Sequence, residues 1–250
     1  MLSKSPGGYS FVRGGSAYSA GVVAMDGFVI EHVRLARTVP WKRGFELVDA
    51  HLSAMGRPRT ALCSIALRSP KPMSFSGFKE FNAGYRDVLK SWELMVDGIN
   101  PVARTNVAPE VDPPAEPSLY SFAYATPGTR TLPSFVVSGA GELPDGSSDL
   151  ADVIRAGETS GEGMAAKARF VLGLIEQRME SLGVSWEHVH VTNIYTVHDL
   201  NALLSTVLLP RMGRAGEHGA TWYYSRPPIV SLEFEVDVRG GTREAIIKGA

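Results

Sequence analysis

The sequence predicts an α+β protein made of two tandem copies of one unit, and three observations lead to that expectation. The 250 residues are 44% hydrophobic and 20% charged, which is typical of a chain that folds around its own core. Strand-like and helix-like patterns follow in the same order in both halves. Gly56 and Gly183, which end the first long helix of each half, lie about half the chain apart. One continuous α/β domain is the alternative.

A hairpin is the first predicted element. Asp26 and Gly27 lie between the apolar runs 21–24 and 28–30. An Asp-Gly pair between two apolar runs is the strongest short-range hairpin signal, so we expect these two strands to pair with each other.

Two helices and a strand are predicted to complete the first half. Apolar residues recur at helical spacing after Pro40, which predicts a helix over about 41–55. A buried strand follows over 60–67, and Ser74 is placed to cap a second helix. Asn100 and the proline after it end that helix.

A proline-rich segment, 108–117, divides the chain into predicted units 1–117 and 118–250. Four prolines in ten residues exclude a helix or a central strand. A linker is the simplest interpretation, and a shaped loop over a site is the alternative.

The second half repeats the order of the first. Gly183 ends its long amphipathic helix. The predicted elements are a strand at 135–137, a loop over 145–163, a helix over 164–182, a strand over 188–197, a helix over 199–209 and a strand over 229–238.

Composition excludes several classes of function. A net charge of −1 lacks the basic excess that nucleic-acid binding needs. No apolar run approaches the roughly 18–20 residues that cross a bilayer, and the first residues lack the apolar core of a signal peptide. The single cysteine, Cys63, excludes an intrachain disulfide. We therefore expect a cytoplasmic protein with neither nucleic-acid nor membrane partners.

The usual cofactor signatures are also missing. The sequence has no Walker loop, no Gly-x-Gly-x-x-Gly after a strand, no Gly-x-Ser-x-Gly and no His-Glu-x-x-His. His188 and His190 alternate on one strand but have no further ligand at metal-binding spacing. We expect neither a cofactor nor a metal.

Three segments of the second half resemble the RidA/YjgF family over roughly residues 125–240. They are Val137 to Gly139, the helix that ends at Gly183, and Ser231 to Val236. In the first half, Asn100 to Thr105 resembles the family segment that carries its substrate-binding arginine. The resemblance implies two chorismate-mutase-like units, each a mixed sheet with helices on one face, and assembly as a homotrimer.

The sequence departs from the family where the site would be. The family has its acidic strand about 15 residues after the arginine, but here Leu119 stands 15 residues after Arg104. Likewise, His218 stands 15 residues before Glu233, where an arginine is expected. A complete site is therefore expected only where a first half meets a second half.

The resemblance makes Arg104 a clamp for a substrate carboxylate, with Thr105 adding a hydrogen bond. A guanidinium binds a carboxylate through two parallel hydrogen bonds and stays charged. Glu233 and Glu235 have the same parity on one predicted strand, so both side chains are expected on one face, where either can move protons. The alternatives are a loop arginine in a salt bridge and a solvated sheet face.

Three further residues complete the candidate site. Small residues around Gly141 let a ligand approach backbone N–H groups, and Glu142 follows directly. His218 is a candidate acid/base because histidine titrates near neutral pH. An ordinary turn and a flexible surface histidine are the alternatives.

The resemblance implies a cofactor-independent deaminase that hydrolyses the enamine or imine of a carboxylic acid. A tandem version of this length is most similar to 2-aminomuconate-type deaminases of aromatic compound degradation. The implied substrate is 2-aminomuconate or a substituted relative. A chorismate-type lyase or hydrolase and a non-catalytic ligand-binding protein are the other two hypotheses.

Overall fold

The computed structural model describes residues 2–147 and 149–249, and over these residues twelve strands form one mixed sheet. The strands are β1 (Leu2–Lys4), β2 (Tyr9–Val12), β3 (Gly21–Ala24), β4 (Phe28–Pro40), β5 (Leu62–Arg68), β6 (Ala103–Pro109), β7 (Ser118–Pro127), β8 (Phe135–Gly141), β9 (Val191–Thr196), β10 (Thr221–Arg226), β11 (Glu235–Gly240) and β12 (Arg243–Ile247). The predicted mixed α+β architecture is confirmed.

Three long helices and two short ones pack on this sheet. Ser74 and Ser160 cap two of the long helices, each accepting a backbone N–H from three residues ahead. The helices are α1 (Trp41–Ala54), α2 (Phe75–Ser91), α3 (Gly161–Ser181), α4 (Asn201–Leu203) and α5 (Leu209–Met212), with a π-helical turn at Leu204–Leu208. None of the helices in the described ranges is long and apolar enough to span a bilayer.

The strand order is the same in both halves. The sheet runs β1-β2-β3-β8-β11-β9-β10-β6-β5-β7-β4-β12, so a first group, β4-β7-β5-β6, meets a second group, β8-β11-β9-β10, at β6 and β10. In both groups the first two pairings are antiparallel and the third is parallel.

The predicted hairpin is wrong. The turn itself forms, with Gly27 at φ +81° and the Phe28 N–H donating to the Met25 carbonyl at 3.0 Å. The strands on either side do not pair with each other, because β3 pairs with β2 and β8 whereas β4 pairs with β7 and β12. An Asp-Gly turn determines only the local reversal, whereas burial of the apolar faces decides the partners.

Strands from both ends of the chain cross between the groups. The N-terminal strands β1 to β3 extend the second group at β8, and the C-terminal strand β12 extends the first group at β4. β7, which begins directly after residue 117, also lies in the first group. Each group is therefore extended by strands from the other half of the sequence.

The last predicted strand begins later than expected. Residues 232–234 are irregular and regular pairing starts only at Glu235. Two prolines at 227 and 228 and a positive φ of 78° at Ser231 prevent an extended strand before that point.

The helices cover the outer faces of the two groups, and the inner faces meet. α1 and α2 bury Phe45, Val48 and Leu89 against the first group. α3 buries Val171, Leu172 and Ile175 against the second. Between the groups lies a third apolar cluster, which consists of Tyr9, Phe11, Val22, Ala24, Ile30, Cys63, Ala103, Ala123, Ala125 and Val136.

A candidate active site between the two groups

A cavity of about 510 Å³ opens where β6 of the first group faces β8 and β11 of the second. The backbone N–H of Arg104 on β6 donates to Ser138 Oγ on β8 at 3.0 Å. The cavity is walled by both groups, by α2 and by the loop that follows β8. This is the meeting of a first half with a second half that the divided motifs predict, and it occurs within one chain.

Arg104 reaches this cavity because strand residues alternate in direction. Arg104 and Asn106 line the cavity, whereas Thr105 between them does not. The guanidinium lies 4.9 Å from the ring of Tyr85 and 5.4 Å from the ring of Phe78. These contacts orient the cation but leave its hydrogen-bonding capacity unused.

The Arg104 guanidinium is buried without a counter-ion. The residue is 3% exposed, its Nη1 has no hydrogen-bond partner, and among the described residues no carboxylate lies within 4.0 Å of it. Burial lowers the pKa of Arg104 below its usual value. An unpaired buried charge is strongly unfavourable, so a bound anion would stabilise this arrangement.

Glu235 lies in the wall of the same cavity, at the start of β11 and opposite Gly141 of β8. Burial, reinforced by the charge of Asp237, raises the pKa of Glu235 to about 8. Its carboxyl is therefore mainly protonated at neutral pH.

Gly139 makes room for that carboxyl. A Cβ at Gly139 would lie 2.1 Å from Glu235 Oε1, so any larger residue would displace it. The backbone there is held by Arg178 on α3, whose Nη1 donates to the carbonyls of Ser138 and Gly139 at 2.9 and 3.1 Å. The same guanidinium pairs with Asp145 at 2.6 Å, which fixes the loop at the cavity edge.

Thr105 belongs to a different network. Its hydroxyl donates to Asp237 Oδ2 at 2.9 Å, and the same carboxylate accepts from Asn193 and Tyr195 at 2.8 Å each. This buried network joins β6, β9 and β11, and none of its four residues lines the cavity. Thr105 is thus occupied within the protein rather than directed at a ligand.

Glu233 and Glu235 do not share a face. Glu233 precedes the regular strand, so the parity argument does not apply to it. Its carboxylate contacts His198 Nε2 at 2.8 Å and Arg226 Nη1 at 3.4 Å, outside the cavity lining.

Glu142 is fully buried in an ion pair. Its carboxylate lies 3.2 Å from Lys167 Nζ on α3 and accepts the backbone N–H groups of Glu233 and Phe234. Burial raises the pKa of Glu142 above its usual range. These contacts tie α3, β8 and the start of β11 together. Gly141 lines the cavity together with Gly139 and Ala140, whereas Glu142 does not.

His218 lies elsewhere on the molecule. It ends the 3₁₀ segment Gly213–His218, is exposed, and packs its ring 4.9 Å from that of His190. It is not part of the cavity wall. Across residues 2–147 and 149–249, no three His, Cys, Asp or Glu side chains cluster closely enough to bind a metal.

The proline-rich segment does not cover the cavity. Residues 110–117 connect β6 to β7 within the first group, and none of the segment lies in the lining. The Glu110 N–H donates to the Tyr224 carbonyl at 3.1 Å, which extends the junction between the groups.

Sequence reasoning missed a set of polar residues on α2. Lys79, Asn82 and Arg86 line the cavity at spacings of three and four residues. These spacings place them on one helix face, a pattern visible in the sequence. Only the apolar residues of α2 were interpreted, because they predict which helix face packs in the core.

Comparison with known proteins adds evidence independent of this geometry. A family model described as "2-aminomuconate deaminase CnbZ" matches residues 1–245. A protein of Comamonas testosteroni named 2-amino-5-chloromuconate deaminase is 42% identical over 246 residues, covering 97% of both chains.

Two solved structures are more distantly similar. A chorismatase is 12% identical with a TM-score of 0.46, covering 88% of this chain and 77% of its own. A cyanuric acid hydrolase is 10% identical with a TM-score of 0.44, covering 87% of this chain and 69% of its own.

Membership of RidA/YjgF stays a prediction, since the family model that matches is a different one. Its match includes every residue that lines the cavity, from both groups. The chain therefore belongs to the 2-aminomuconate deaminase CnbZ family.

Proposed function

We propose that this protein converts a 2-amino unsaturated dicarboxylate of the 2-aminomuconate class into the 2-oxo acid and ammonia, using Arg104 and Glu235. Family membership and the name of the Comamonas relative support the reaction and the substrate class. The observation that carries the site assignment is that the unpaired Arg104 guanidinium and the Glu235 carboxyl, both buried, line one cavity.

The reaction needs one water and three proton transfers. A proton added to a chain carbon conjugated with the amine converts the enamine into an iminium ion. Water then adds to the carbon that bears the nitrogen and loses a proton, which gives a carbinolamine. The hydroxyl proton passes to nitrogen, the C–N bond breaks, and ammonia leaves behind a carbonyl group.

Arg104 and Glu235 have properties that match these steps. Arg104 holds the carboxylate next to the reacting carbon, which fixes the carbon chain against Glu235. With a pKa near 8, Glu235 is a proton donor at neutral pH. The carboxylate left after donation accepts a proton from the attacking water, so Glu235 returns to its starting state.

The architecture of the units and the assembly are part of the proposal. The repeated strand order of the two groups supports two RidA-like units in tandem. The exposed Trp222 and Tyr224 on β10, 44% and 51% accessible, support burial of that surface in a homotrimer. Light scattering on a size-exclusion column tests this, and a monomer would contradict it.

Ammonia release from 2-aminomuconate, measured above the buffer blank, tests the function. Arg104→Gln should lower kcat/KM by about tenfold to a hundredfold, the range for a lost charge-assisted hydrogen bond. Arg43→Gln is the matched control because Arg43 is an exposed residue of α1 that pairs with Glu46. Release at the blank rate by the unmodified protein would refute the proposal. Release insensitive to Arg104→Gln would refute the role of the cavity.

A further inference from the structure

The α2 wall of the cavity carries polar atoms that nothing in the described chain satisfies. Asn82 Oδ1 and Arg86 Nε are buried without a hydrogen-bond partner, as is Asn106 Nδ2 on β6. All three residues line the cavity. A buried polar group without a partner is unfavourable, so three together indicate a ligand-binding surface.

Asn82 and Arg86 are suited to act on one ligand group. They are four residues apart on α2, which places them one turn apart on the same face. Arg86 forms no salt bridge with any carboxylate of the described ranges. Among the described residues it is therefore a cation of the cavity wall without a counter-ion, like Arg104 and the exposed Lys79.

The two arginines come from different elements, Arg104 from β6 and Arg86 from α2. The backbone N–H of Arg104 donates to Ser138, and the Glu235 carboxyl lies over the next residue, Gly139. Arg104 and Glu235 therefore both belong to the part of the cavity wall where the two groups meet. Arg86 projects from α2. Phe78, whose ring contacts the Arg104 guanidinium, is one turn before Asn82 and adds apolar surface to the cavity lining.

We propose that Arg86 and Asn82 form a second carboxylate-binding subsite, so that the cavity selects substrates with a carboxylate at each end. The carboxylate beside the reacting carbon binds Arg104, and the distal carboxylate binds Arg86. The assignment of ends rests on the proposed function, whereas selective binding of dicarboxylates does not require catalysis.

Calorimetric titration with hexanedioate and hexanoate tests the subsite directly. The unmodified protein should bind hexanedioate at least tenfold more tightly than hexanoate, because the second carboxylate gains a charge-assisted contact. Arg86→Gln should remove this preference by weakening hexanedioate alone. Lys90→Gln, the same charge change on the same helix at an exposed residue, should keep it. An unchanged preference in Arg86→Gln would overturn the proposal.

A second variant tests the subsite in case Arg86→Gln does not fold. Asn82→Asp puts a carboxylate one turn from Arg86, where it pairs with the guanidinium and repels the ligand, so it should also abolish the preference. If circular dichroism shows that Arg86→Gln is unfolded, this variant decides. A preference retained in folded Asn82→Asp would overturn the subsite.

Kinetics separate failure of this inference from failure of the proposed function. Arg86→Gln should raise KM for 2-aminomuconate at least tenfold, whereas Lys90→Gln should leave it unchanged. An unchanged KM for 2-aminomuconate would refute the subsite and leave the deaminase intact. Arg86-dependent binding of hexanedioate without any ammonia release would refute the deaminase and leave the subsite intact.

Discussion

Arg104 and Glu235 are both held in states that do not favour folding. One is a charged group buried without a counter-ion, and the other is a carboxyl whose ionisation burial opposes. Such groups concentrate at functional sites, where the unpaired charge or the shifted pKa serves ligand binding or proton transfer and not the stability of the fold. Their presence in one cavity is the strongest evidence for its role.

The pKa of Glu235 predicts a pH profile. If the protonated carboxyl is the donor, kcat should be constant below about pH 8 and fall as the pH rises through that value. Glu235→Gln should lower kcat by about a hundredfold and remove this alkaline limb. Steady-state ammonia release between pH 6 and 10 measures both, and a limb that persists in the variant would assign it to another group.

Glu235 should also make the free energy of unfolding depend on pH, in a direction that its raised pKa defines. Its folded pKa is raised, so between its ordinary value and about 8 the folded protein holds a proton that the unfolded chain has lost. The free energy of unfolding therefore falls as the pH rises through this window. Glu235→Gln should unfold at a higher temperature than the unmodified protein above pH 8 and lose that advantage near pH 4. An equal difference at both pH values would contradict the raised pKa.

At the scale of elements, the Glu235 carboxyl of β11 can lie over β8 only because position 139 is glycine. Gly139→Ala should reduce kcat at least tenfold, since the added methyl group takes the place of Glu235 Oε1. Gly173→Ala on α3 is the matched control, because nothing lies within 4 Å of its added methyl group. The control should keep full activity and gain up to about 1 kcal/mol of stability from better helix propensity. Full activity in Gly139→Ala would contradict the placement of Glu235.

Periodicity predicted the helices well and the strand partners poorly. The predicted helices at 41–55 and 164–182 correspond to α1 and α3, because each has one apolar face that a sheet must cover. The partner of β3 depends on contacts more than a hundred residues away, which no local pattern contains.

The same limit applies to the site. Arg104 and Glu235 were predicted from separate motifs, and the structure brings them into one cavity. Glu233 was misplaced because parity holds only within a regular strand, and that strand begins at Glu235. Arg86 was missed because a polar residue on a helix face usually contacts solvent, whereas this half-buried side chain lines the cavity.

For the whole molecule, the exchange of end strands makes the two groups interdependent. A fragment of residues 118–250 would lack β1 to β3 and leave the edge of β8 unpaired. It would also lack most of the cluster between the groups. We expect the full chain to unfold in one transition and the fragment not to fold cooperatively. Circular dichroism melts of both test this, and a fragment with its own sharp transition near that of the full chain would contradict it.

The site has the same dependence on both halves. The first group supplies Arg104 and the second supplies Glu235, so neither group alone contains a complete cavity. The two segments that carry the predicted resemblance, one with Arg104 and one with Glu235, therefore both contribute to the cavity where the groups meet.

The most direct test of this account is a crystal structure of the protein with hexanedioate bound. The account predicts one carboxylate within hydrogen-bonding distance of the Arg104 guanidinium and the carbon chain next to the Glu235 carboxyl. A dicarboxylate bound elsewhere on the protein, with this cavity empty, would contradict it.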